Sequence, residues 1–437
     1  MGDQDITRVL QEAVELEKTQ KYEEAMKKYH EYLSENKEIE QMFSSFQARS
    51  YGKVLRKTGQ ASEAVAFFES FEKNKDMDQY VRNEFAWSLY DVHIKSSEKV
   101  SNSILSAATK IINICEQGKY SPYSKAVLQI MKLLITQPSG NFKQALEWAD
   151  RLNIDLLNKE AYFWKAEDGT SKTVGSELER YYSMIVKCLY ELEQYQSCCN
   201  QISEAFSVIT DFHNDRDFWL RWYRAKTLHG LNRFDEAIEI LNQLLLIKKD
   251  WFIYKEIAEI LFQQQQFEQS LLYCASGALA FGEPDKKIHM YELMIKILLK
   301  IEEKEAAIRH AKLVCIIYRD SGRVIKPELI SLIETAGDSL DEASSLASMI
   351  RELKPLWSDY IYPKENCKYG KVIKLIAEGR KGFICQDNGE SFYFNVSSIV
   401  SDRNKIKEGV KVSFYLEPGF DRKKNIPVMN AVHIKVL

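Results

Sequence analysis

Residues 218–245 read FWLRWYRAKTLHGLNRFDEAIEILNQLL. Apolar and aromatic residues recur every three or four positions on both sides of HGLNRF (His229–Phe234), which predicts two helices joined by a tight turn. Ala237 follows the turn directly. A small side chain there lets the second helix approach the first, while the aromatic ring of Phe234 fills the gap at the turn.

The phrase recurs along the chain as an aromatic, two polar residues, a small residue and an apolar one. It reads KYEEAM around Ala25, NFKQAL around Ala145, QYQSCC around Cys198, RFDEAI around Ala237 and QFEQSL around Ser270. QASEAV at Ala64 lacks the aromatic, and EKEAAI at Ala307 is weaker again. The last three copies are 33 and 37 residues apart, and the earlier intervals are longer and irregular. The pattern resembles the tetratricopeptide repeat family, best over Trp219–Arg319. It departs from that family's period of roughly 34 residues, and several copies lack the Gly and the terminal Pro. The resemblance implies seven or more helix pairs between residues 5 and 355, wound into a superhelix whose concave groove holds a protein partner, without catalysis.

Two stretches break the helical pattern. AEDGTSKTVGSELER (Ala166–Arg180) is small and polar and is expected to be a mobile insertion; its GTSKT lacks the spacing of a phosphate-binding loop. KPLWSDYIYPKENC (Lys354–Cys367), with two prolines, is expected to end the helices, so that residues 1–355 form the repeat domain and 356–368 a linker.

From residue 369 to 437 the chain changes character. GKVIKLI, KGFICQ, SFYFNVSSI, GVKVSFYLEP and PVMNAVHIKVL read as five strands, with a hairpin turn at Asp387–Gly389. The expected fold is mainly α with a small C-terminal five-stranded antiparallel barrel. The order of features (G-x-V, K-G-F-I, an aromatic strand ending in S-x-I, then E-G-x-K-V-x-F) resembles a cold-shock domain, an OB-type fold. That resemblance implies an aromatic face on the second and third strands that stacks unpaired bases. Phe383 and Tyr393 occupy stacking positions, while Lys374 and Lys381 stand where aromatics are usual, Asn395 where His is usual and Val396 where Phe is usual. Strand alternation points Phe392 and Phe394 inward and Tyr393 and Asn395 outward.

Charge supports the same face. The whole chain carries −3, but residues 368–437 hold 13 Lys/Arg against 7 Asp/Glu, a net of +6, leaving −9 on the rest. The expected nucleic-acid site comprises Lys371, Lys374, Arg380, Lys381, Phe383, Tyr393 and Asn395, with Arg403, Lys405, Arg422, Lys423 and Lys424 on loops at its rim. Binding would be to single-stranded RNA ahead of DNA, weak, salt-dependent and nearly indifferent to sequence. A barrel serving only as a spacer or protein contact stays open as the alternative.

Other chemistry is not indicated. Seven histidines include no H-E-x-x-H, and eight cysteines include no C-x-x-C, so no metal or cofactor is expected. DFHNDRDF (Asp211–Phe218) gathers His, Asp and Arg in the manner of a nuclease site but reads as a polar turn between helices. RWYR (Arg221–Arg224) falls inside a helix. The vicinal pair Cys198–Cys199 reads as buried free thiol within a helix. With 45% hydrophobic residues, no apolar run near the ~20 residues of a membrane span and an acidic N-terminus, the reading is a cytoplasmic, non-enzymatic adaptor.

Overall fold

The computed structural model describes residues 3–35, 43–165, 168–340, 345–376, 380–421 and 426–437. The chain divides into two compact units, Met1–Leu231 and Asn232–Leu437.

The first unit contains α1 (Asp3–Lys18), α2 (Tyr22–Glu35), α3 (Ser45–Lys57), α4 (Ala61–Asn74), α5 (Gln79–Leu89), α6 (Asn102–Ile114), α7 (Tyr123–Thr136) and α8 (Phe142–Ala149). A small hairpin, β1 (Tyr162–Lys165) and β2 (Ser171–Val174), precedes α9 (Glu177–Glu191), α10 (Tyr195–Val208) and α11 (Arg216–Gly230). Each helix packs on the next, and α1, α3 and α5 also touch in series, as do α7, α9 and α11. This is the packing of a helical repeat array, in which neighbours bury one continuous core.

The second unit opens with α12 (Phe234–Ile247), α13 (Trp251–Gln263), α14 (Phe267–Leu279), α15 (Ile288–Lys300) and α16 (Lys304–Asp320). It continues through α17 (Pro327–Thr335) and α18 (Leu346–Ile361). The last helix packs on both α14 and α16. Its Trp357 is fully buried, stacks on Tyr291 at 5.8 Å and donates its indole N–H to His310 Nε2 at 2.8 Å.

The recurring phrase has one geometry. Ala25, Ala64, Ala145, Cys198, Ala237, Ser270 and Ala307 are each 0% exposed, and each is the fourth residue of its helix. Five positions before each stands a residue in the left-handed region: Gln20, Gly59, Gly140, Glu193, Asn232, Gln265 and Glu302, with φ between 50° and 84°. At five of these turns the next N–H reaches back to a leucine carbonyl five residues earlier, as in Gln194 to Leu189 and Gln266 to Leu261 at 2.9 Å. This 6→1 bond is the Schellman closure of a helix C-terminus. The turn therefore fixes where the second helix starts, and the small residue lets it close. Where the small residue carries a polar atom it bonds twelve residues back: Ser270 Oγ donates to the Ala258 carbonyl at 2.7 Å, and Cys198 Sγ to Val186 at 3.5 Å.

Five strands end the chain: β3 (Lys368–Ile376), β4 (Lys381–Cys385), β5 (Ser391–Asn395), β6 (Lys411–Asp421) and β7 (Ile426–Val436). They hydrogen-bond in the order β3-β4-β5-β7-β6, and β6 pairs again with β3, so the sheet closes on itself. Val372, Ile384, Phe394, Val412, Phe414, Ala431 and Ile434 fill the interior, with the Phe392 ring tilted against Phe414 at 5.9 Å.

Four expectations are corrected. The sheet is mixed, because β5 and β7 run parallel at Tyr393↔Asn430; a connection as long as the one between them leaves the strand direction free. Ser171–Val174, expected to be a loose insertion, pairs with Tyr162–Lys165, whose β-forming aromatics supply the partner strand. Helix α18 runs through Pro355 to Ile361, into the stretch expected to be linker from 356, since burial of Leu353 and Trp357 on either side outweighs the roughly 3 kcal/mol a helical proline costs. Strand β6 continues past Pro418 to Asp421.

Candidate nucleic-acid interface

The outer face of β3, β4 and β5 is built by register. Gly389, at φ 87°, closes the β4–β5 hairpin, with its N–H on the Gln386 carbonyl at 3.0 Å and Gln386 N–H on the Glu390 carbonyl at 2.9 Å. The hairpin aligns Phe383 with Tyr393 and Lys381 with Asn395. On the other side a bulge between Val372 and Lys374 turns Ile373 outward and brings Lys374 opposite Phe383. Residues paired across strands share a face, so Lys374, Phe383 and Tyr393 form one row. Lys381 and Asn395 form a second row and Lys371 with Cys385 a third. Gly382 lies under this face because any Cβ would meet the Lys374 carbonyl and the Phe394 ring, both at 2.6 Å.

Phe383 and Tyr393 are half-buried, edge to face, with centroids 5.8 Å apart. Lys371, Lys374, Arg380, Lys381 and Asn395 are exposed. Arg380 precedes β4, and its carbonyl extends the ladder by accepting the Val396 N–H at 2.9 Å. Asn395 caps a short turn: its Oδ1 accepts from Ser397 N at 3.0 Å and Ser397 Oγ at 3.1 Å. Val396 packs against the sheet interior. Arg403 and Lys405 sit on an exposed 3₁₀ turn, while Arg422, Lys423 and Lys424 lie outside the described residues.

One further cation borders this face. Lys411 pairs directly opposite Lys371. Like charges in opposed positions are unfavourable in a sheet, so this pair concentrates positive potential at the edge of the ring face. The signal was present as a lysine in the fourth strand, but its partner depended on the closing register.

Further round the sheet, β6 and β7 are pinned to the helices of their own unit. The Tyr362 hydroxyl donates to Glu417 Oε1 at 2.6 Å, Lys249 pairs with the same carboxylate at 2.8 Å, and the Tyr362 ring stacks on His433 at 4.4 Å. Burial alone would push the Glu417 carboxyl up; the bonds from Lys249 and Tyr362 outweigh it and hold the group below its ordinary range.

The other candidates are structural. In DFHNDRDF, His213 N–H donates to Glu179 Oε1 at 2.7 Å, and the buried Glu179 closes a capping box with Ser176 at the start of α9. Arg216 stands 4.0 Å from the same carboxylate. In RWYR, Tyr223 packs against the unit core and Tyr190. Burial pushes the Cys198 thiol up to about 11, away from reactivity. Among the described residues, no group of three or more His, Cys, Asp or Glu could share a metal ion, and no helix is long and apolar enough to cross a membrane.

Residues 218–354 match the model of a domain of unknown function, DUF7017. No curated protein matches. Among solved structures, a tetratricopeptide repeat protein from Parabacteroides merdae is similar at 13% identity over 77% of this chain and 100% of that one, with a TM-score of 0.30. The Cut9–Hcn1 hetero-tetramer of the APC/C is similar at 11% identity over 77% of this chain and 60% of that one, with a TM-score of 0.34. A structure described as MamA MSR-1 C2 is similar at 14% identity over 55% and 95%, with a TM-score of 0.20.

Proposed function

We propose that this chain is a non-enzymatic adaptor. Its tetratricopeptide-like helical repeats hold a protein partner, and its closed C-terminal sheet, an OB or cold-shock-like module from residue 369 onward, binds single-stranded nucleic acid. The observation that carries the reading is the row of Lys374, Phe383 and Tyr393: two neighbouring rings on an outer face, flanked by an ammonium group. Rings accept the faces of unpaired bases whatever their sequence, and lysines attract phosphates. Lys371, Lys381, Arg380 and Lys411 extend the positive margin. The two activities reinforce each other, because a tethered partner raises the effective concentration at the second site.

A salt titration of single-stranded RNA binding by the full chain tests this. Log affinity falls linearly with log salt, and Lys374→Glu with Lys381→Glu lowers the slope by about 2 and weakens binding at least ~10-fold. Binding that ignores both salt and the double substitution overturns the reading.

A second reading, a protein scaffold whose sheet has lost nucleic-acid binding, is favoured by the lysines, Asn395 and Val396 at positions where the resemblance expects rings or His. It requires partner assembly to survive nuclease treatment and Phe383→Ala and Tyr393→Ala to be silent.

A further inference from the structure

The ring row does not end at β5. Tyr393 pairs with Asn430 on β7, and Asn430 with Glu417 on β6, so the same outward row continues around the closed sheet. There it enters a cleft of about 1450 Å³ between β6–β7 and helices α12, α13 and α14 of the same unit, and Asn430 and Glu417 both line it. The opposite wall presents half-buried Tyr254 and Tyr273 with Asn242 beside them, and Lys368 stands at the sheet side. Phenol rings and carboxamides are the groups that stack on bases and bond their edges. Lys249 in the cleft is already held by Glu417, so phosphate attraction there is weak.

We infer that this cleft is a second base-binding subsite, taking the nucleotides that follow those seated on Phe383 and Tyr393. The inference rests on the nucleic-acid reading of the ring face. Its physical basis is continuity: three interstrand steps from Phe383 to Glu417 span roughly 14 Å, the length of about four stacked nucleotides. A strand lying on the rings and running along the row arrives in the cleft with its bases facing Tyr254 and Tyr273. The cleft belongs to this chain's own helices, so it adds affinity that the sheet alone cannot supply.

Fluorescence anisotropy of the full chain with labelled tetramers and nonamers of uridylate and of thymidylate tests the proposal; comparing the two sugars identifies the preferred polymer. The nonamer is expected to bind at least ~10-fold more tightly than the tetramer. Tyr254→Leu with Tyr273→Leu returns the nonamer to tetramer affinity with the salt slope unchanged, because neither ring touches phosphate. The exposed substitution Asn242→Asp, which leaves the packing of α12 intact, weakens the nonamer in the same direction. Tetramer affinity stays constant throughout. Nonamer binding that survives both changes overturns the subsite while the ring face stands; absence of binding at either length overturns both.

Discussion

Acidification should release a measurable part of the second unit's stability through one histidine. His310 lies on the buried face of α16, its Nδ1–H donating to the Ala306 carbonyl at 2.7 Å. Trp357 can only donate, so the 2.8 Å contact requires a lone pair on His310 Nε2 and hence a neutral imidazole. Burial pushes this group down to about 4. A histidine whose folded value lies below its unfolded value of about 6.5 contributes fully above pH 6.5 and loses that contribution as pH falls toward 4. At pH 5 the loss amounts to about 2 kcal/mol, from roughly 1.4 kcal/mol per unit over the interval. The assay is urea titration followed by the Trp357 indole N–H resonance, which reports this unit alone, for wild type and His310→Gln. Glutamine keeps an acceptor near the indole but does not titrate. The stability difference between the two proteins should narrow by about 2 kcal/mol between pH 7.5 and pH 5. An unchanged difference would refute a buried, uncharged imidazole.

Two further substitutions probe the scaffold. Glu302 occupies the left-handed turn position before α16 at φ 64°, a conformation costing a side-chain-bearing residue about 1–2 kcal/mol. Glu302→Gly should therefore stabilise the second unit by about 0.5–1 kcal/mol after the entropy cost of glycine, read from its urea midpoint. Gly382→Ala should destabilise the C-terminal sheet by about 2 kcal/mol or more, because the methyl group meets the Lys374 carbonyl and the Phe394 ring, and sheet amide resonances would report it.

The helical array was readable because close approach demands a small residue at one fixed place, and Ala25 through Ala307 mark it. The turn before each was less visible. Gly59, Gly140 and Asn232 announce a left-handed residue, whereas Glu193, Gln265 and Glu302 adopt it because the leucine carbonyl and the next N–H close the helix end around them. The β1–β2 hairpin does carry a local signal: three aromatics, Tyr162 to Trp164, before Asp-Gly and a β-branched partner segment. Strand alternation located Phe394 inside and Tyr393 outside, but no local pattern could show Lys411 facing Lys371, or Asn430 beside Tyr393. Those pairs depend on closure between segments far apart in the chain. The helix-lined cleft was illegible for the same reason.

Closure of the sheet is thin on one side. Tyr393↔Asn430 and the isolated Ile399↔Ile434 bridge are the parallel pairings that join the hairpin side to β7, whereas β6 and β7 zip along nearly their whole length. Local opening of the cylinder is therefore expected to start at this seam, and Tyr393 stands on its lip. A molecule straddling the lip sutures the two halves, so occupancy and rigidity rise together.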